Sequence, residues 1–236
     1  MPRDATSTRE RLIRAGAHLF ARKGVDGALT REIVALAGQA NDSAVHYHFG
    51  SRRGLLGAIV DRHVLRMEEQ RKPALDALEA GEAGGAGGTG AGLGAVLAAV
   101  VEPMTAELTD EGGRDFLRIV AQLAGGSGAR GGEVPHPLVG TALAAQLDLL
   151  HARCRAHLGE PAARERIAIV IVMLTAALAD RALRIDEHLP LLLDHESFAA
   201  NLVTMLTAAL AAPAPGTAPE PAAAPPFPRE SGFLSG

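Results

Sequence analysis

The stretch NDSAVHYHFGSR, residues 41–52, concentrates side chains that could do chemistry. It contains the single tyrosine of the chain, Tyr47, and two of its nine histidines, His46 and His48. Imidazole and phenol groups at this spacing could belong to a metal site, a catalytic site or a surface that reads nucleic acid. The positions of these side chains around a helix distinguish the three possibilities.

A metal site or a catalytic site fits this spacing poorly. His46 and His48 would lie about 200° apart around an α-helix, whereas two histidines that grip one metal from one helix are spaced four residues apart. The single cysteine, Cys154, is far away in the sequence. A nucleophile such as Ser43 would need a base and an orienting group within hydrogen-bond reach, and no nucleophile turn surrounds it. The chain is therefore predicted to bind no metal, to need no cofactor and not to be an enzyme.

Drawn as a helix, the same stretch has an apolar face and a polar face. Val45 and Phe49 share the apolar face, whereas Ser43 and Tyr47 point the opposite way. Small and polar side chains of this kind can approach base edges in the major groove of DNA. Arg52 follows at the start of the next helix, a position that favours phosphate. A surface that reads nucleic acid is therefore favoured over a merely solvated face.

The elements that hold this face are predicted to be helices. The chain has no tryptophan, one tyrosine and abundant alanine and leucine, which favours helix over strand. Ser7 and Glu10 form a capping box, Thr30 can cap a second helix, and two short helices joined by the turn GQA would form a helix-turn-helix. The predicted N-terminal helices span 7–24, 31–37, a third from Asn41 or Asp42 to about His48, and a fourth that begins at Ser51.

The rest of the chain is also predicted to be helical, with helices at 93–109, 113–125, 137–158, 162–186 and 195–212. Glycine-rich 80–94 predicts a flexible connection, 125–137 a second loop, and the Pro/Ala-rich end a disordered tail. The apolar run 167–179 is too short for a membrane span, which needs about 20 residues. It is interpreted as a buried helix rather than a strand, because no other strand candidate exists to pair with it.

Charge is distributed unevenly along the chain. The formal net charge is −4, but residues 1–63 contain ten lysines and arginines against six acids. The front therefore carries +4 and the remainder −8. A basic front on an acidic body indicates that the front meets a polyanion. The single cysteine and the charged N-terminus, which lacks a secretory pattern, predict a cytoplasmic protein.

Residues 8–63 resemble the N-terminal domain of the TetR (tetracycline-repressor) family of bacterial transcription regulators. The resemblance lies in LTREIVALAGQANDSAVHYHFGSRRGLLGAIV (29–60), with its Thr-Arg-Glu-Ile opening, Ala-Gly, Tyr-His-Phe, and Ser-Arg followed by Leu-Leu. It implies an all-α protein in which a three-helix helix-turn-helix domain, 1–53, is joined by a long helix to a helical ligand-binding and dimerisation domain, 54–212. The tail then spans 213–236.

The same resemblance implies roles for individual residues, with the third helix as the recognition helix. Phosphate contacts are expected from Thr30, Tyr47, His48 and Arg52. Base contacts are expected among Asn41, Asp42, Ser43, Ala44 and His46, with Arg31 at the same surface. The family often has a second aromatic residue where His46 stands and a small or basic residue where Asp42 stands. The DNA sequence preference of the family is therefore not carried over.

In the body, the resemblance implies a homodimer formed by the last two long helices, and an effector pocket. The predicted dimer residues are Val170, Leu174, Leu178, Phe198, Leu202, Met205 and Leu206. The predicted ligand-binding residues are Phe116, Gln122, His151 and Met173. The expected partners are double-stranded DNA with a palindromic operator, a small-molecule effector and a second copy of the chain, with no membrane.

These expectations predict a DNA-binding transcription regulator, a repressor released from its operator by a small molecule. One alternative is a small-molecule-binding or enzymatic helical protein whose front only resembles a helix-turn-helix. That alternative predicts no salt-sensitive DNA binding. A second alternative binds DNA without responding to any ligand.

Overall fold

The computed structural model describes residues 2–41, 43–83, 89–125 and 140–214, and every regular element among them is helical. The all-α prediction is therefore confirmed. A short 3₁₀ turn, Glu107–Thr109, lies between the fifth and sixth helices. The helices are α1 (Pro2–Lys23), α2 (Thr30–Leu36), α3 (Ala44–Phe49), α4 (Arg52–Ala83), α5 (Thr89–Ala106), α6 (Glu111–Gly125), α7 (Ala142–Leu158), α8 (Glu160–Asp186) and α9 (His195–Ala211).

An N-terminal core is formed by α1, α2, α3 and the first half of α4. Leu12 and Phe20 of α1, Ile33 of α2, Val45 of α3 and Ile59 of α4 are all fully or almost fully buried in it. Each such side chain contributes roughly 1.5–3 kcal/mol when it is removed from water. The short helices α2 and α3 therefore depend on this packing, because isolated helices of that length are unstable.

A second core fills the body, between the later half of α4 and α5 to α9. α5 lies at its centre, with Leu93, Val96 and Val101 wholly buried. Among the described residues, the window Gly92–Thr109 is long and apolar enough to cross a membrane, and 61% of it is buried inside the fold. That burial is typical of a core helix.

The two cores are joined by α6 as well as by the continuous helix α4. Ile119 of α6 is fully buried in the N-terminal core. The Gln122 side chain bridges to α1, accepting a hydrogen bond from Val25 N at 2.7 Å and donating one to Phe20 O at 3.2 Å. α6 therefore contacts both cores directly.

Several predicted element boundaries differ from the structure. Ser7 lies inside α1, which begins at Pro2, and its hydroxyl accepts a hydrogen bond from Arg11 instead of capping the helix. The glycine-rich segment 80–94 is partly helical, since α4 continues to Ala83 and α5 begins at Thr89. The described residues leave out 84–88, 126–139 and 215–236. Most of the predicted second loop and of the predicted tail therefore lies outside them. The apolar run 167–179 is helical, as predicted.

Candidate DNA-binding surface and ligand-binding region

The turn between α2 and α3 has the geometry of a helix-turn-helix. Gly38 has a φ of +67°, a left-handed conformation that glycine adopts without strain. The amide of Gln39 donates to Val34 O at 3.0 Å and closes the end of α2. A second left-handed glycine, Gly50 with φ +72°, ends α3 and turns the chain into α4.

The start of α3 is organised by Asn41. Its side-chain oxygen accepts hydrogen bonds from Ser43 N at 2.9 Å and from Ser43 Oγ at 2.7 Å. The helix itself begins at Ala44. Asp42, a predicted base-contacting residue, lies outside the described residues.

The outward face of α3 carries the polar side chains that the sequence placed there. Tyr47 is 81% exposed, and His46 and Ser43 are exposed beside it. The ring of His48 is half-buried and meets the Tyr47 ring edge-on at 5.0 Å between centroids. Val45 lies on the opposite face and is buried in the N-terminal core. The helix therefore exposes an aromatic hydroxyl and an imidazole at the surface, in a geometry that suits contact with a groove.

Thr30 does not cap α2, contrary to the prediction. The helix begins at Thr30 itself, and Leu29 occupies the capping position. Its amide donates to Glu32 Oε2 at 3.3 Å, and Lys23 donates to Glu32 Oε1 at 2.8 Å. The hydrogen bond from Lys23 is the main reason that the pKa of Glu32 is lowered. Thr30 remains partly exposed and Arg31 is exposed, so both are still accessible at the start of α2.

Arg52 is directed inward, which differs from its predicted contact with phosphate. Its Nε donates to Ala28 O at 2.9 Å, its Nη2 donates to Val25 O, and its guanidinium lies 5.0 Å over the Phe20 ring. These contacts fasten the start of α4 to the turn after α1. The neighbouring Arg53 is exposed instead. The sequence shows both arginines side by side. Which of the two faces solvent depends on the orientation of α4, which the sequence alone does not determine.

The four predicted ligand-binding residues do not meet in one cavity. Phe116 is buried and stacks on His63, with ring centroids 4.6 Å apart. Gln122 joins α6 to α1, and His151 Nε2 lies 3.3 Å from Glu160 Oε1. Met173 is 40% exposed on α8. Their side chains serve separate contacts in this structure, and their role in ligand binding stays a prediction.

A polar groove of about 580 Å³ lies instead where α1 of the N-terminal bundle meets α6 and α8 of the body. Two ion pairs involve residues that line it. Arg22 Nη1 lies 3.0 Å from Asp115 Oδ1, and Arg118 Nη2 lies 2.8 Å from Asp186 Oδ2. Burial raises the pKa of Asp115, although these arginines and His18 act against that rise. The groove is lined by Ala21, Arg22, Arg118, Ala179, Asp180, Leu183, Asp186 and Glu187.

Most of the predicted dimer residues are buried within the single chain. Five of them are between 0% and 6% exposed and belong to the body core of the single chain. These five are Val170, Leu174, Leu178, Leu202 and Leu206, and their role in a dimer stays a prediction. Phe198 is partly buried under the guanidinium of Arg181, at 4.7 Å, whereas Met205 is 52% exposed.

Comparison with known proteins identifies the N-terminal bundle. Residues 12–59 match the family model described as bacterial regulatory proteins, tetR family. No curated protein sequence gives a significant match.

Similar solved structures include a protein from Mesorhizobium loti described as a TetR-family transcriptional regulator, at 15% identity over 88% of this chain and 96% of that one, with a TM-score of 0.44. A second, from Rhodococcus sp., has 16% identity over 87% and 99%, with a TM-score of 0.46. The transcriptional regulator FadR from Bacillus subtilis, in complex with stearoyl-CoA, has 12% identity over 85% and 98%, with a TM-score of 0.45. Residues 12–59, which contain the helix-turn-helix with its exposed third helix, are thus similar to bacterial regulatory proteins of the tetR family.

Proposed function

We propose that the chain binds a palindromic operator as a homodimer in the cytoplasm and represses transcription until a small-molecule effector releases it. The observation that carries the DNA-binding step is the outward face of α3, where Tyr47 is 81% exposed beside exposed His46 and Ser43. Two such faces in a two-fold dimer would lie about one helical turn of DNA apart. The exposed Arg53 at the start of α4 supplies a cation for phosphate.

An apolar surface on α8 supports the homodimer. Ile169, Val172 and Met173 are between 40% and 50% exposed, although they belong to a helix whose other face lies in the core. Met205 of α9 is exposed as well. Large apolar side chains clustered on a surface are typical of protein interfaces, and two helices from each chain would form a four-helix contact.

The connections between the cores support release by an effector. A molecule bound in the body acts on DNA affinity only through its differential affinity for two arrangements of the bundle. α4 and α6 are the elements that both cores share, and the Gln122 hydrogen bonds and the Arg22–Asp115 ion pair join α6 to α1. A shift of either helix therefore changes the spacing of the two recognition helices.

Binding of the full chain to its own promoter DNA across a salt series tests the DNA-binding step. Tight binding that weakens steeply with salt is expected from a basic protein surface on phosphate. Tyr47→Ala is expected to weaken binding roughly tenfold, because it removes a hydrogen bond to a charged phosphate. Leu192→Ala is the matched control, since Leu192 is 96% exposed in the connection between α8 and α9. The control should bind like the unmodified protein.

Two results would contradict the proposal. Equal affinity of the unmodified protein and Tyr47→Ala would remove α3 from the DNA contact. Absence of binding on both the promoter and a pool of random sequences would favour the alternative of a helical protein that only resembles a regulator.

Introducing charged residues on the apolar surface of α8 tests whether that surface forms the dimer interface. Ile169→Glu combined with Met173→Glu is expected to convert a dimer to a monomer, because two carboxylates from each chain would be buried in the contact without partners. Light scattering after size exclusion gives the mass. Leu192→Glu, which adds one carboxylate at a far more exposed position, should leave the dimer intact. A monomeric unmodified protein would contradict this part of the proposal.

A further inference from the structure

Arg71 of α4 occupies a position where a core residue is expected. Val64, Met67 and Leu78 lie on the same face of the helix at helical spacing; Val64 is buried, and Met67 and Leu78 pack in the body core. Arg71 is 0% exposed and is the largest fully buried side chain among the described residues. Arginine is almost never fully buried unless it is paired.

The guanidinium of Arg71 has few partners. Its Nη2 reaches Met67 Sδ at 3.5 Å, a weak acceptor, while its Nε and Nη1 are buried and make no hydrogen bond to any described residue. Leaving buried donors of a charged group unsatisfied costs several kcal/mol, because the group loses its water without replacement. A residue that destabilises the fold in this way is typical of a binding site.

The carboxylates near Arg71 do not satisfy these donors. Burial lowers the pKa of Arg71 to about 10, and the charges of Glu68 and Glu107 act against this decrease, so the guanidinium stays protonated at neutral pH. The Glu68 oxygens accept hydrogen bonds from Ala142 N at 2.7 Å and Leu143 N at 3.3 Å at the start of α7. Glu68 is therefore committed to capping that helix.

Gln146 of α7 adds a second buried polar group at the same place. It is 0% exposed, and its Nε2 donates to the backbone oxygen of Arg71 at 3.4 Å, whereas its Oε1 has no hydrogen-bond partner among the described residues. Leu150, one turn further along α7, and Met67 provide apolar surroundings. Because Gln146 Oε1 can only accept a hydrogen bond, Arg71 Nε and Nη1 are the donors at this place that remain for an anion.

We propose that Arg71 binds the carboxylate of an effector whose apolar part lies in the body core. A carboxylate fits better than a phosphate, because one guanidinium balances one negative charge in apolar surroundings. This inference rests on the proposed function, since it names the chemical class of the effector. It also places the effector in direct contact with α4, the helix that begins in the DNA-binding bundle.

The test measures binding of octanoate, decanoate and dodecanoate to the full-length protein by calorimetry, with methyl decanoate as the uncharged probe. The unmodified protein should bind at least one carboxylate, and Arg71→Met should bind it at least about tenfold more weakly through loss of a charge-assisted hydrogen bond. Arg71→Lys keeps the charge without the planar fork and should bind several-fold more weakly. If Arg71→Met does not fold, Arg71→Lys serves as the test variant.

Lys72→Met is the matched control, because Lys72 is an exposed cation one residue further along the same helix. Lys72→Met should bind the carboxylate as the unmodified protein does. The affinity for methyl decanoate should be the same for the unmodified protein, Lys72→Met and Arg71→Met. Equal carboxylate affinity with and without Arg71, or no binding of any of the three carboxylates to the unmodified protein, would overturn the inference.

Promoter binding without carboxylate separates this inference from the proposed function. Arg71→Met should bind the promoter as the unmodified protein does, and only its release by carboxylate should be lost. If the unmodified protein binds no DNA, the proposed function fails. If it binds DNA but its carboxylate response does not depend on Arg71, only the assignment of the effector fails.

Discussion

Gly54→Ala is expected to destabilise the N-terminal bundle by on the order of 3 kcal/mol and to abolish DNA binding. A Cβ at Gly54 would lie 2.0 Å from Phe49 O and 3.2 Å from Phe49 C. These are backbone atoms, which cannot rotate away as a flexible side chain can. Since Phe49 is the last residue of α3, relief of the overlap must displace the recognition helix from α4.

Gly57→Ala is the matched control for this change. Gly57 lies one turn further along α4, and a Cβ there would meet nothing within 4 Å. Alanine is favoured over glycine in a helix interior by roughly 0.5–1 kcal/mol, so this variant should be slightly more stable. Thermal unfolding followed by circular dichroism, together with promoter binding, compares the two. Similar melting temperatures for both variants would show that α3 and α4 do not pack this closely.

The helix-turn-helix could be predicted from sequence because its signals are local. The apolar residues Ile33 and Val34 indicate which face of α2 is buried. Gly38 and Gly50 follow the two short helices, at positions with a left-handed backbone conformation. The exposure of Tyr47 follows from the burial of Val45 on the opposite face of α3. Each of these inferences uses residues within one or two turns of each other.

The side-chain placements that could not be predicted from the sequence depend on contacts between distant parts of the chain. The inward direction of Arg52 is set by carbonyls at positions 25 and 28, which lie in a turn that the sequence does not orient. An apolar stripe on α8 does not show which side chains face the core and which face solvent. Leu174 and Met173 are adjacent and equally apolar, yet the first is 4% and the second 40% exposed. Arg71 was missed because a charged residue in a helical pattern is ordinarily assigned to the surface.

Glu107→Gln is the second change with a large expected effect, about 2–3 kcal/mol of destabilisation at neutral pH. Glu107 is 2% exposed and begins the 3₁₀ turn between α5 and α6. Its Oε2 accepts from His63 Nδ1 at 2.7 Å and also from Arg66 Nη2, while Oε1 accepts from Arg66 Nε at 2.9 Å. Glutamine keeps the shape but loses the charge that these donors stabilise, and its amide offers only one acceptor oxygen.

Asp110→Asn provides the comparison, because the same Arg66 also donates to Asp110 Oδ2 at 3.1 Å. That carboxylate is 51% exposed, so its ion pair is screened by water and should contribute less than about 1 kcal/mol. Asparagine can also still accept the hydrogen bond from Gly113 N. Chemical denaturation at neutral pH should therefore separate the two variants clearly. Equal losses would show that burial of Glu107 adds nothing to its interactions.

The effect of Glu107→Gln should depend on pH in one direction. Burial opposes ionisation of Glu107, but hydrogen bonds and charge from His63 and Arg66 outweigh it, so the folded-state pKa lies below the ordinary 4.5. A group whose pKa is lowered by folding stabilises the fold fully above its unfolded pKa and loses this contribution as the pH falls through the folded value. The difference in unfolding free energy between the unmodified protein and Glu107→Gln should therefore be constant near neutral pH and shrink below about pH 4.5. A difference that grows on acidification would show that the pKa of Glu107 is raised by burial instead, and that its hydrogen bonds do not hold the charged form.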